Sequence, residues 1–231
     1  MRHYLTLALF TALSTLFATT ASAYDAGNFV VRLGAANVDP DTDSDPIEVG
    51  STTLPNGVDV DDDTQLGINL MYMVTDHWGL ELLAATPFEH DISLEDAPVE
   101  AGSTKHLPPT LTLNWFPMSG ESPWQPYIGI GVNYTRFFDE DVDNELNEAL
   151  GNILGLPLPV DAKLSLDDSW GIAGRAGIDY FLNDSWGLNA SVWYLDISTE
   201  ADIRFAEGST SFDVDIDPWV YMLGITYRFD F

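Results

Sequence analysis

The sequence predicts an all-β protein: an eight-stranded antiparallel transmembrane β-barrel with long external loops and short periplasmic turns. Three observations point there. Eight segments alternate between apolar residues and small or polar ones with a period of two. Tryptophan and tyrosine gather at the ends of these segments. Beyond residue 23 no run of about 18 apolar residues occurs, so nothing there crosses a bilayer as a helix.

Residues 1–23 read as a secretory signal. Arg2 and His3 give a positive start, Leu5 to Phe17 an apolar stretch, and Ala21-Ser22-Ala23 a small-residue cleavage site before Tyr24. Residues 24–231 then form the barrel. In the first strand Phe29, Val31, Leu33 and Ala35 alternate with Val30, Arg32, Gly34 and Ala36. In the second, Leu66, Ile68, Leu70, Tyr72 and Val74 alternate with Gln65, Gly67, Asn69, Met71 and Met73. The third sets Trp78, Leu80, Leu82 and Ala84 against Gly79, Glu81, Leu83 and Ala85. The fourth sets Leu107, Pro109, Leu111, Leu113 and Trp115 against His106, Thr110, Thr112 and Asn114.

The fifth strand pairs Ile128, Ile130, Val132 and Tyr134 with Gly129, Gly131, Asn133 and Thr135. The sixth alternates Trp170, Ile172, Ala176, Ile178 and Tyr180 with Gly171, Ala173, Arg175, Gly177 and Asp179. The seventh carries Trp186, Leu188, Ala190, Val192 and Tyr194 against Asn189, Ser191 and Trp193. The eighth carries Tyr221, Leu223, Ile225, Tyr227, Phe229 and Phe231 against Met222, Gly224, Thr226, Arg228 and Asp230.

A soluble sandwich would show the same alternation with its apolar faces inward. The inverted arrangement, apolar faces toward lipid, follows from strand length, from the aromatic ends and from the polar face. Strands of about 9–11 residues span a bilayer when tilted. Trp78, Trp115, Trp170, Trp186, Trp219, Tyr134, Tyr180 and Tyr227 sit where interfacial girdles form. The polar face is rich in glycine and contains arginine, which suits a narrow lumen. Short connectors at 75–77, 117–123 and 183–185 alternate with long ones at 38–63, 89–103, 139–168 and 200–217. The short ones mark the periplasmic side of an outer-membrane barrel of a Gram-negative cell.

Composition narrows the function. The 231 residues hold 8 Lys plus Arg against 37 Asp plus Glu, a formal charge of −29, and most of the acids fall in the long connectors. Nucleic acid is excluded as a partner, because phosphate binding needs clustered cations. With 45% hydrophobic residues the chain is no disordered acidic tail. The absence of cysteine excludes a disulfide scaffold, a zinc–cysteine site and a thiol nucleophile.

Inside the barrel, Arg32, Glu81, Asp179, Arg228 and Asp230 are predicted to project inward near the periplasmic end and to pair across the lumen as a charged plug, first of all a structural filling. Eight strands leave an interior just wide enough for side chains. Above the plug the inward positions Leu83, Trp193, Met71 and Met222 turn apolar. Pro87 on the third strand and Pro108-Pro109 on the fourth lack N–H donors at similar heights. Singly they read as a bulge or an edge; together they mark a seam through which an apolar solute could leave sideways into the membrane.

The third external segment spaces Val142, Leu146, Leu150, Ile153, Leu154, Leu156 and Leu158 so that 143–154 reads as a short amphipathic helix. It is expected over the barrel mouth as an entry funnel, with a dimer contact as the alternative. Asp39, Asp41, Asp43 and Asp45 recur at every second position, but Ser44 and Gly50 stand where a calcium loop needs glycine and glutamate. The run reads as a solvated charge stripe that could loosely bridge divalent ions to lipopolysaccharide, with no defined metal site. His77 and His90 are expected in solvent and His106 inward, with no nucleophile triad around them, so neither an enzyme nor a cofactor is expected. The C-terminal Tyr227-Arg228-Phe229-Asp230-Phe231, ending in Phe231, looks like the signal read by the barrel assembly machinery.

Several motifs together resemble the outer membrane protein W (OmpW) family: Glu81-Leu82-Leu83-Ala84-Ala85-Thr86-Pro87-Phe88, His106-Leu107-Pro108-Pro109-Thr110-Leu111, Pro126-Tyr127-Ile128-Gly129, Asn133-Tyr134-Thr135, Asp168-Ser169-Trp170-Gly171, Ser191-Val192-Trp193-Tyr194 and Asp217-Pro218-Trp219. They occur in one order over nearly all of the chain after the signal. The external loops depart most and are unusually acidic. The resemblance implies an eight-stranded outer-membrane barrel that passes small hydrophobic molecules, and it implies that Leu83 and Trp193 lie in an apolar constriction; ordinary lumen packing is the alternative. A non-transporting surface barrel, receptor or adhesin through its acidic loops, is the alternative of a different class.

Overall fold

The computed structural model describes residues 24–230 apart from 96, 98, 119, 159, 206 and 207. The signal over 1–23 and the terminal Phe231 lie outside the described residues. The chain runs through β1 (Phe29–Asp39), β2 (Asp43–Ser44), β3 (Ile47–Val49), β4 (Thr52–Leu54), β5 (Val58–Val60) and β6 (Asp63–Met73). It continues with β7 (Trp78–Ala85), β8 (Phe88–Leu94), β9 (Glu100–Leu107), β10 (Thr110–Trp115) and β11 (Trp124–Val142). The one helix among the described residues, α1 (Asn144–Leu154), is followed by β12 (Lys163–Leu166), β13 (Ser169–Phe181), β14 (Trp186–Leu195), β15 (Ser198–Phe205), β16 (Gly208–Asp215) and β17 (Trp219–Phe229).

Eight of these strands close into a barrel. Their order is β10-β7-β6-β1-β17-β14-β13-β11, each antiparallel to its neighbours, and β10 pairs with β11 to complete the ring. All eight strands read from the alternation are present, with the predicted parity. Ile130, Trp170 and Leu223 on the outer face are 69, 74 and 69% exposed, whereas Arg32, Asn69 and Asp179 on the inner face are fully buried. So much exposed Leu, Ile and Trp would be costly in water, and lipid is the solvent that removes the cost. Rings pair at both rims of this band. Trp124–Tyr180 and Trp186–Tyr227 stand 4.3 and 4.6 Å apart toward the short turns, and Tyr134–Trp170 and Tyr194–Trp219 stand 4.7 and 5.4 Å apart toward the long segments.

The long segments are not plain loops. β8 and β9 pair with each other and continue the wall, β5 adds to β8, and β12-β15-β16-β2 form a second sheet above the rim. The same period of two drives them, with acids on the water side: buried Ala201 and Ile203 alternate with Glu200, Asp202 and Arg204. Helix α1 ends where Gly155 turns left-handed at φ 65°, a conformation that favours glycine. Its Leu146 and Leu150 face a core formed with Ile47, Val49, Ile92, Ile203 and Phe212. The helix is present where the spacing predicts it, and its apolar side packs into the core of the extension.

Candidate functional site

The lumen is layered. At the periplasmic end Tyr24, Val30, Met71, Met73, Phe116, Tyr127 and Phe181 form an apolar floor. On it lies a charged layer with two cations and two anions, every side chain fully buried. Arg32 donates to Glu81 at 2.7 Å and to both oxygens of Asp179 at 3.0 and 2.7 Å. Arg175 pairs with the other oxygen of Glu81 and donates to the Tyr127 hydroxyl at 2.7 Å. Asp179 also accepts from Tyr24, Asn189 and Thr226, and Glu81 from Asn114. Both guanidinium groups lie over the Tyr127 ring, at 5.0 and 4.6 Å. Gly177 makes room for that tyrosine, since a Cβ there would meet its hydroxyl at 2.4 Å. With the Met71 sulfur 3.8 Å from Arg32, all eight barrel strands contribute a side chain to this cross-section. Charge balance and the several hydrogen bonds each carboxylate accepts are what make such burial tolerable.

Above this layer Leu83, Trp193 and Met222 pack with Ala36, Phe88, Phe137, Leu195 and Val220. Arg175 joins the two layers, its guanidinium 3.7 Å from the centre of the Trp193 ring. Higher again, β5, β8, β9, α1, β12, β15 and β16 enclose an apolar chamber with a cavity volume of about 70 Å³. Val58, Ile92, Leu146, Leu150, Ile203 and Phe212 are among its lining, and His90 and His106 stand in its wall.

A break in the wall lies beside the junction of these two apolar regions. The ladder between β7 and β10 ends at Leu83–Thr110, and that between β8 and β9 begins at Phe88–His106. Thr86 and Pro87 on one side, and Pro108 and Pro109 on the other, belong to no strand. Backbone bonding there points away from the seam: Thr86 N–H donates to Leu66 at 3.0 Å, and Pro109 C=O accepts from Tyr134 at 3.1 Å.

The sequence-predicted residues thus fall into distinct places. Arg32, Glu81 and Asp179 meet in the charged layer. Arg228 and Asp230 stand apart from it: their ion pair, at 3.0 Å, is local to the end of β17, and the Asp230 side chain is 58% exposed. Leu83, Trp193 and Met222 meet, whereas Met71 belongs to the floor. His90 is buried and not in solvent, with Nε2 2.9 Å from Nε2 of His106. Burial holds both imidazoles below the ordinary histidine range, His106 to about 3, with His90 as the second cause there. Sequence reasoning passed over Arg175 and Tyr24 as members of the layer. Arg175 carries the inward parity of Asp179, four residues on, and that signal was available. Tyr24 had none, because it precedes the first strand. Among the described residues no group of three or more His, Asp or Glu is placed to hold a metal ion.

A family model described as OmpW family matches residues 25–229. The chain is 42% identical over 221 residues to outer membrane protein W of Vibrio cholerae, covering 94% of this chain and 95% of that one. Among solved structures it is similar to the crystal structure of the outer membrane protein OprG from Pseudomonas aeruginosa, with TM-score 0.78 and 44% identity, covering 90% of this chain and 99% of that one. A more distant relative, 26% identical over 202 residues and covering 86% of this chain and 87% of that one, is the dibenzothiophene metabolism operon protein PahQ of Pseudomonas aeruginosa.

Proposed function

The chain belongs to the OmpW family of outer-membrane β-barrels, and on that premise we propose that it takes up small hydrophobic molecules from outside and releases them sideways into the membrane. The observation that carries this reading is the position of the seam. It flanks the junction of an apolar chamber with the Leu83–Trp193–Met222 constriction, directly above a charged layer drawn from every strand. A greasy solute gains by leaving water for the chamber, by about 25 cal/mol per Å² of apolar surface. It cannot go straight down, because displacing paired buried charges costs several kcal/mol. The remaining way out passes Pro87, Pro108 and Pro109, where few backbone bonds have to part. A relative named for a dibenzothiophene metabolism operon fits a cargo of this kind.

In this reading the residues conduct and do not catalyse. The barrel sits among outer-membrane lipid and lipopolysaccharide, which the acidic extension bridges through divalent ions, and the Phe231 terminus serves its insertion by the assembly machinery. The test is uptake of a labelled apolar solute into liposomes with and without the purified protein. Faster entry with protein is expected. Equal entry would contradict transport and favour a receptor or adhesin acting through the acidic extension.

A further inference from the structure

The chamber wall is apolar with few exceptions, and one of its lining side chains has a buried polar ring atom with no partner among the described residues. Its polar side chains are Thr104, Thr199, His90 and His106. The two hydroxyls bond the carbonyls of Lys105 and Asp167, at 3.5 and 2.7 Å. His90 uses both ring nitrogens: Nδ1 lies 2.6 Å from the Asp61 carbonyl and Nε2 lies 2.9 Å from His106 Nε2. His106 Nδ1 is buried and bare.

The direction of this chain of bonds is fixed at one end. A carbonyl only accepts, so His90 Nδ1 carries the proton and donates to Asp61. In a neutral imidazole the other nitrogen is then an acceptor, so His106 Nε2 must donate to it. His106 Nδ1 is left as a lone pair with no donor, and Phe88 and Phe137 hold its ring at centroid distances of 5.4 and 5.9 Å. A buried acceptor without a donor is a standing cost. A solute that brings a donor into the chamber removes it.

We propose that the chamber selects apolar molecules that carry one hydrogen-bond donor, such as an alcohol, a phenol or an amide N–H, and that His106 Nδ1 holds that donor. The inference rests on the uptake reading but concerns which solute is retained, and the two can fail separately. A neutral hydrogen bond gained on binding corresponds to roughly a three- to tenfold preference over an isosteric solute without it.

The experiment has two arms, with n-octanol and n-octane as probes. In lipid nanodiscs, nitrogen-15 spectra of the histidines should show His106 as the Nε2–H tautomer, with the Nδ1 resonance moving on addition of octanol and not of octane. In liposomes, the wild type should take up octanol in preference to octane. The double variant His90→Phe and His106→Phe, which keeps an aromatic wall and leaves no bare nitrogen, should carry both probes alike. An Nδ1 resonance indifferent to octanol, with both probes taken up equally by wild type, overturns the inference and leaves uptake standing. A resonance that responds to octanol while neither probe is transported supports the binding site and contradicts the conduit. No response and no transport overturns both.

Discussion

Asp179 concentrates more of the interior bonding than its neighbours, accepting from Arg32, Tyr24, Asn189 and Thr226 at distances of 2.6–3.0 Å. Asp179→Asn keeps the volume and removes the charge, leaving Arg32 and Arg175 against Glu81 alone. Breaking one partner of a buried pair costs about 3–5 kcal/mol, so heat-dependent gel mobility should show the folded form lost at a clearly lower temperature. Arg228→Met should cost less, because the carboxylate it leaves behind, Asp230, is mostly exposed and stays solvated. Equal destabilisation by the two would contradict this placement of the charged layer. The pair also shows what alternation conveys and what it leaves out. Parity sent Arg32, Glu81, Asp179, Arg175, Arg228 and Asp230 inward, and all but Asp230 are buried. Height and partner depend on the stagger between tilted strands, which no count along one strand supplies. So Glu81 meets Arg175 from β13 and not Arg228.

The imidazoles add a dependence on pH. His106 is held at about 3 in the closed extension, against an ordinary 6.5 when released. Between those values the opened form takes up a proton that the closed form refuses, so the extension loses stability as pH falls from about 6.5 toward 3 and keeps it above. His90, itself lowered by burial, adds in the same direction, although Asp61, Asp62 and Asp63 oppose it. Proteolysis of the extension should accelerate on acidification from neutral pH, and less so in the double phenylalanine variant, which carries the same carboxylates. Identical acid profiles would contradict the buried pair.

At the scale of elements, α1 is the lid of the chamber. Leu150→Asp places a charge in the core shared with Ile47 and Phe212, and a buried unpaired carboxylate is far costlier than one helical turn is worth. The lid should lift while the barrel holds: trypsin should cut faster at Lys163, which follows the helix, with the heat stability of the barrel unchanged. Loss of both together would mean that the extension and barrel unfold as one. The helix was legible from its spacing. The strands around it were less so, because an acidic stretch reads as a loop until one asks which face the acids occupy: Asp202, Asp213 and Asp215 alternate with buried Ile203, Phe212 and Val214. The prolines marked the break in the wall, and residue order located it between the third and fourth strands.

Over the whole molecule, polarity changes in a fixed order from outside to periplasm: acidic surface, apolar chamber, apolar constriction, neutralised charges, apolar floor. That order favours entry of a greasy solute from above and opposes its passage below, and the interrupted ladder between β7–β8 and β9–β10 lies beside the junction of the two apolar regions. The central claim is therefore that β7–β8 and β9–β10 must part. Leu82 faces Leu111 in register below the seam, and Glu89 faces Lys105 above it. Cysteines at these four positions lie within the reach of disulfides, and the native chain has no cysteine to interfere. The measurement is uptake of a labelled apolar solute into liposomes by this variant, oxidised and then reduced. The account expects uptake to be abolished by oxidation and restored by reduction; a cross-linked barrel that transports at the wild-type rate would contradict it.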